Sequence, residues 1–351
     1  MNFEAAEFDF SKAGECKIIG EIGVNHNRDI DLLFKLIDAG IEAGVDIIKL
    51  QRFSSKDELS EFASSTDYQR KAGQGESQLQ MAQKLELPDE WIVKAHAYCN
   101  ERNIGFLCAA FDHGSVDFIA DTLGCKSIKV PSPELNNKPL LQHMAEKFDA
   151  LLISTGASYL SECCQALEWV EQVASREIAF MHCVSEYPAP LNELNLSAMA
   201  TLRSALNVPV GYSDHSDGIV ASIAAASLGA AMIEKHYTLD KSLPGPDHKA
   251  SSDIAELKIL VEAVKGAVKS VGDGIKRPMS CESSNRPLIR KTLTVNAPLL
   301  LKGTVLTKDM IGIKRPATTG AVVPSDIDKV VGLRLTKDKA YDEPIKWTDF
   351  Q

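Results

Sequence analysis

Nothing in these 351 residues approaches the roughly 20-residue apolar run that a membrane-spanning helix needs. The opening MNFEAAEFDF is acidic and has no apolar centre, so no secretory leader is expected either. The eight cysteines form no C-x-x-C pair and show no paired spacing; Cys163 and Cys164 are adjacent and the others sit mostly in apolar segments. That pattern predicts buried thiols in a reducing cytoplasm in place of disulfides or a zinc cluster. Positive charge is in deficit, with 38 Lys and Arg against 48 Asp and Glu, a formal net charge of −10. Such a chain as a whole repels nucleic acid and anionic membranes, so an anionic ligand must be held by a few local cations. No G-x-G-x-x-G follows the first strand-like run, which counts against a dinucleotide-binding sheet.

The remainder is ordinary globular composition, 44% hydrophobic and 25% charged, with length for one large or two medium domains. Eight short β-branched runs recur: CKIIGE, VDIIKLQ, IGFLCAAFD, CKSIKVPS, DALLISTG, EIAFMHCV, VPVGYSDH and AAMIEKHY. Helical patterns follow them. Ile30, Leu33, Phe34, Ile37 and Ile41 keep an i, i+3, i+4, i+7 rhythm, as do Leu257, Leu260, Val261, Val264 and Val268. HGSVDFIADTLG and LSECCQALEWVEQVA also read as helices. The link between the second and third runs, residues 54–102, is longer and reads as a loop before a helix at Pro88–Asn100. Eight strands alternating with helices predict a closed (β/α)8 TIM barrel over residues 1–271, with an open doubly wound sheet as the alternative. Residues 272–286 are polar and rich in Gly and Pro and read as a linker; 287–351 carry short segments and read as a small second domain.

In a barrel, the C-terminal strand ends converge on the active site. Those ends read Glu21; Lys49 and Gln51; Lys129 and Ser132; Ser154; His182; Ser213 and His215; Glu234 and His236. Residues two apart on a strand point to the same side. So many polar side chains at buried strand ends call for a ligand to satisfy them. A lone strand-end histidine is ordinarily a hydrogen-bonded structural residue. Two on neighbouring strands with carboxylates beside them suit a divalent metal with open positions equally well. Lys49 and Lys129 either pair with carboxylates or, with Ser132, Ser154 and Ser213, hold an oxyanion such as phosphate. Glu21 in such a pocket suits an acid, a base or an anchor. Asp247, in PGPDHKAS, sits in a turn or aims at polyol hydroxyls.

Together GEIGVNHN, KLQ, KVPSPELNN, ISTGAS, HCVSEYPAP, GYSDHSDG, IEKHYTLDKSLPGPDHKAS and KRPATTG resemble the sialic acid synthase family, from about Lys17 to the end of the chain. The resemblance implies a (β/α)8 barrel followed by a C-terminal β-rich antifreeze-like (SAF) domain, in a domain-swapped homodimer. It implies condensation of phosphoenolpyruvate with an N-acylated mannosamine-type sugar, giving a nonulosonic acid and phosphate. It gives His215 and His236 to a divalent metal, Mn2+ first, with Mg2+ or Co2+ as alternatives. Lys49, Lys129, Ser132, Ser154 and Ser213 match phosphoenolpyruvate-binding positions, and Glu21 a proton-handling one. Gln51, Tyr187 and Asp247 match sugar contacts, and Arg315 an arginine supplied across the dimer to the N-acyl group. The carboxylates beside the histidines, Asp214 and Glu234, are then expected to orient metal-bound water.

The chain departs from that pattern at Ala109-Ala110, where Thr-Pro is usual, and at Pro133, Ser185 and Arg28, where Gly, Asn and Gly are usual. N-acetylneuraminate is the first product expected, with legionaminic acid, from a diacetamido-trideoxy sugar, second. GPDHKAS counts against the pseudaminic branch. A synthase for a phosphorylated aldose needs further Arg or Lys for the distal phosphate, and no such cluster stands out. A metal-dependent isomerase needs more carboxylate ligands, and a Schiff-base aldolase a lysine in a dry pocket, a role that stays open to Lys129. An ice-binding role needs evenly spaced Thr, and Thr292, Thr294, Thr304, Thr307, Thr318 and Thr319 keep no period. A paralogue disabled at Ala109 and Pro133 is the remaining alternative.

Overall fold

The computed structural model describes residues 15–60 and 78–350. The chain divides into two compact units between Gly272 and Asp273. In the first, eight parallel strands close in sequence order: β1 (Lys17–Glu21), β2 (Ile47–Arg52), β3 (Gly105–Ala110), β4 (Ser127–Val130), β5 (Ala150–Ser154), β6 (Glu177–His182), β7 (Val210–Asp214) and β8 (Met232–His236). β8 closes on β1 in register from Lys17 opposite Met232 to Glu21 opposite His236. Each strand lies within one of the eight β-branched runs, except that β2 extends one residue past its run, to Arg52; this fits the near-continuous apolar sequence of strands buried on both faces.

The pleat sorts the side chains. Ile19, Ile47, Leu107, Leu152, Ala179 and Met232 point inward and fill the barrel. Val210, Tyr212 and Ile233 point outward, into the larger core beneath the helices. Gly211 leaves room inside: a Cβ there would lie 2.4 Å from Met232 Cγ and 2.6 Å from Met181 Sδ, so the two methionines occupy its place.

Helix α1 (Ile30–Ala43) shows how sequence sets the outer ring. Asp29 caps its start, accepting from the N–H groups of Asp31 and Leu32 at 2.9 and 3.1 Å. Gly44, at φ 86°, ends it in the left-handed conformation. Its buried stripe is Leu33, Leu36, Ile37 and Gly40, with Phe34 and Ile41 on the flank. Gly40 has no room for a methyl group, because Ile48 Cδ1 and Tyr237 Oη lie 2.6 Å from where its Cβ would be. Arg28, one residue before the cap, has φ 52°, a conformation that favours glycine.

The link after β2 holds α2 (Ser55–Glu58), α3 (Gln78–Leu85) and α4 (Asp89–Glu101); its residues 61–77 lie outside the described residues. The single helix expected over 113–124 is instead α5 (His113–Asp117) followed by a π-helical turn, Phe118–Thr122. Phe118 then lies beneath the Arg52 guanidinium, 4.6 Å from its carbon. The outer ring continues with α6 (Lys138–Lys147), α7 (Leu160–Glu171), α8 (Ala198–Leu206), α9 (Val220–Ser227) and α10 (Ile254–Val271).

The second unit has four short strands, β9 (Thr292–Val295), β10 (Leu299–Leu300), β11 (Ile311–Lys314) and β12 (Lys339–Ala340). β9 pairs antiparallel with β11, and β10 with β12. Leu293, Val295, Leu306, Val322, Val330 and Ile345 form its own core. Of residues 272–286, expected as a linker, those from Asp273 on are grouped with this unit and are exposed. Lys339 is buried there, its Nζ 3.0 Å from Asp349 and 2.7 Å from Glu343. All eight cysteines are free. Among the described residues no helix is long and apolar enough to cross a membrane.

His26, in the loop after β1, is almost wholly buried, and desolvation with His248 nearby lowers its pKa from 6.5 to about 4. As pH falls through that window the unfolded chain takes up a proton that the folded one refuses. Stability due to this group is therefore constant above 6.5 and declines toward 4, by about 3 kcal/mol in all. Denaturant titrations at successive pH values should show a shallower decline for His26→Gln than for the wild type; equal slopes would remove this assignment.

Candidate active site

On five of the eight strands, moving two residues up from the apolar layer reaches a polar one. Ile19 leads to Glu21, Ile47 to Lys49 and Gln51, Leu152 to Ser154, Gly211 to Ser213 and His215, and Met232 to Glu234 and His236. At the mouth these side chains, Glu21 excepted, line a cavity of about 390 Å3 with Lys129, Ser132, Tyr187 and Asp247. Glu21 lies just beneath, wholly buried. Arg315 is exposed in the second unit, directly after β11.

Charge is concentrated at the floor. Glu234 Oε1 lies 2.9 Å from Lys49 Nζ, and Glu234 Oε2 lies 2.6 Å from Lys129 Nζ. Ser213 Oγ donates to Glu234 Oε1 at 3.0 Å. Burial opposes a charge on Glu234, but the two ammonium groups outweigh it and hold its pKa well below the usual range. Lys49 is likewise desolvated, yet Glu21 and Glu234 raise it to about 12. For Lys129, desolvation prevails over Glu234 and lowers the pKa. Glu21 behaves oppositely to Glu234: burial pushes its pKa up against the pull of Lys49. Its Oε1 accepts from Gln51 Nε2 at 2.6 Å, while Oε2 sits 3.2 Å from Lys49 Nζ without a hydrogen bond. Both readings of the lysines therefore meet here: they pair with carboxylates and also face the cavity.

The serines extend the floor. Ser132 Oγ accepts the Gly156 N–H at 3.0 Å and lies 3.3 Å from Cys183 Sγ. Pro133, in the short 3-10 turn Ser132–Asn136, offers no N–H to the cavity, and Ala109 brings no hydroxyl beside Lys129.

Beside the floor, two residues beyond Ser213 and Glu234, the rings of His215 and His236 lie 5.7 Å apart. His215 Nδ1 faces the Val184 carbonyl oxygen at 2.7 Å, where only an N–H fits, so its lone pair is on Nε2. Tyr187 stacks on this ring at 4.1 Å, with its hydroxyl 3.0 Å from Nε2. His236 Nδ1 is buried without a hydrogen bond, 3.6 Å from Asp247 Oδ2. Desolvation lowers the pKa of His215 to about 4 and that of His236 well below its usual value, and holds that of Asp247 up at about 7. Two neutral imidazoles, one with a buried orphan nitrogen, fit a divalent ion completed by ligands from outside the protein. Among the described residues no three His, Cys, Asp or Glu side chains converge on a metal-holding point.

Two expectations change. Glu234 is held by the lysines, and Asp214 does not face the cavity: one residue from Ser213 and His215, the pleat turns it outward to Lys235. His182 gives its Nε2 to the Leu194 carbonyl at 2.8 Å and stays out of this cavity. The rim also holds side chains that sequence reading missed: Phe53, Glu58, Leu59, Ala82, Leu85 and Phe111. Burial, then Glu134, Asp112 and Glu86, raises the Glu58 pKa to about 7. Most of these residues come from the long link after β2, where no periodicity marks a wall.

The model of the NeuB family matches residues 36–276. The chain belongs to the NeuB family. These are sialic-acid-synthase-like enzymes that condense phosphoenolpyruvate. Residues 300–351 match the SAF domain. The NeuB chain is 41% identical to an N,N'-diacetyllegionaminic acid synthase of Campylobacter jejuni, across 94% of this chain and 98% of that one. It is 38% identical to an enzyme of the same name from Legionella pneumophila, across 95% and 94%. Among solved structures, the N-acetylneuraminic acid synthetase of Leptospira borgpetersenii superposes with a TM-score of 0.68 at 29% identity, covering 78% of this chain and 90% of that one.

A methyl group on Gly156 would lie 2.0 Å from Ser185 Oγ and 2.7 Å from Ser132 Oγ. If Ser132 helps to hold phosphoenolpyruvate as expected, Gly156→Ala, which must push aside both serines, should weaken its binding about tenfold, roughly 1.4 kcal/mol, by calorimetry. Unchanged affinity would count against that expectation for Ser132.

Proposed function

We propose that this enzyme joins phosphoenolpyruvate to 2,4-diacetamido-2,4,6-trideoxymannose, making the legionaminic-type nonulosonic acid and inorganic phosphate. The observation that carries the reaction is the floor of the cavity. Lys49 and Lys129 share the ionised Glu234, which leaves positive charge for an anion, with the Ser132, Ser154 and Ser213 hydroxyls at hand. The acceptor choice reverses the order expected from sequence. It is supported by the two relatives named for diacetyllegionaminic acid, at 41% and 38% identity. The rim supports it too: Phe53, Leu59, Leu85 and Phe111 with Glu58 suit an uncharged deoxy sugar better than a phosphorylated one.

In this reading the enol carbon of phosphoenolpyruvate bonds to the aldehyde carbon of the open-chain sugar, and water adds at the former enol C–O carbon. The C–O bond to phosphate then breaks, leaving a 2-keto acid. Lys49, Lys129 and the serines bind the phosphate and carboxylate. Glu21, whose pKa burial raises, gives or takes a proton at Oε2. Gln51, Tyr187 and Asp247 orient the acceptor hydroxyls, and Arg315, supplied by a second copy of the chain in a swapped homodimer, meets the N-acyl group. His215 and His236 hold the divalent ion, whose chemistry when bound is to polarise the aldehyde oxygen.

Phosphate release from phosphoenolpyruvate, measured with the diacetamido sugar and with N-acetylmannosamine, with and without Mn2+, tests this. Metal-dependent release that favours the diacetamido sugar is expected. A preference for N-acetylmannosamine would overturn the acceptor, and no release with either sugar the reaction itself.

A further inference from the structure

Lys235 and Asp214 are a buried ion pair for which the mechanism above has no use. They lie opposite one another on β8 and β7, one residue from His236 and His215, and point away from the cavity. Lys235 Nζ is 3.1 Å from Asp214 Oδ2 and donates to the Ser216 carbonyl oxygen at 2.5 Å. Asp214 Oδ1 accepts from the Ser216 N–H at 2.9 Å and from Ser216 Oγ at 2.6 Å. Asp214 Oδ2 accepts from Ser222 Oγ, on α9, at 2.6 Å.

An ion pair taken out of water is poor evidence for stability, because apolar side chains of similar volume often serve as well. What this one supplies is geometry. The residues on both sides of His215, Asp214 and Ser216, are fixed by the same knot that holds the residue before His236. One imidazole is thereby tied to the other through the backbone from outside the barrel.

We infer that Asp214 and Lys235 are positioning residues that set the spacing of the His215 and His236 imidazoles for the metal ion. This rests on the reading that both imidazoles hold that ion. The pair touches neither substrate nor ion; it acts on the turn that follows β7 and on the register between β7 and β8.

The test is Mn2+ binding to the protein alone, followed by electron paramagnetic resonance, which needs no turnover. In Asp214→Asn/Lys235→Met both charges go and the volume stays, so the thermal midpoint should change little. Mn2+ affinity should nevertheless fall about tenfold or more, with an altered spectrum of the bound ion. If that variant does not fold, Ser222→Ala, which keeps the ion pair and removes one hydrogen bond to Asp214 Oδ2, carries the same direction of change. Wild-type binding with variant affinity within about threefold of it would overturn the inference and leave the two-imidazole reading standing. No Mn2+ binding by the wild type would overturn both.

Discussion

The carboxylate of Glu234, held between two buried ammonium groups, is the contact on which this site depends. Each of the three charges would be costly alone in the barrel, where an unpaired ion loses its hydration without compensation. Pairing shifts two of them toward the charged form: Lys129 and Lys49 hold Glu234 far below its usual pKa, and Glu21 and Glu234 hold Lys49 above its own, while desolvation lowers that of Lys129. Two lysines gathered around one committed anion mark the floor as the place for an anionic ligand within an acidic protein. The chain thus concentrates attraction for an anion at one point while its overall charge of −10 repels anions elsewhere.

The strand pleat turns one barrel into two environments. Inward positions change from Ile, Leu and Met to Lys, Glu, Ser and His within two residues, so the apolar plug under the cavity and the reactive layer share a single backbone. That layer is rigid because it is built on strands, while the rim comes from loops such as the one carrying Asp247. The outward positions matter equally. Asp214 and Lys235 convert the space beneath α9 into a brace for the two histidines without occupying any of the cavity.

The barrel strands were legible because each is a β-branched run, and the floor because polar residues stood where such runs end. The pair alternatives for Lys49 and Lys129 were legible only as alternatives, since the sequence cannot say which carboxylate comes within 3 Å of an ammonium. Asp214 was misread because it sits beside His215 in sequence, and adjacency along a strand means opposite faces. The π turn at Phe118–Thr122 leaves no mark in a pattern of apolar spacing. Helix α3 and the rim residues near it belong to a long link whose composition resembles a loop. Arg28 is instructive in the other direction: the resemblance led to an expectation of glycine here, and its φ of 52° is a conformation that favours glycine.

The buried Lys339 of the second unit has a practical corollary. Its ammonium meets Asp349, whose carboxylate is fully enclosed and also 2.9 Å from Lys337. The last turn of the described chain is thus a keystone and not a tail. Trimming the gene to end before Asp349 would leave an ammonium walled into the core with less counter-charge, so affinity tags and fusions belong beyond this residue, on a spacer.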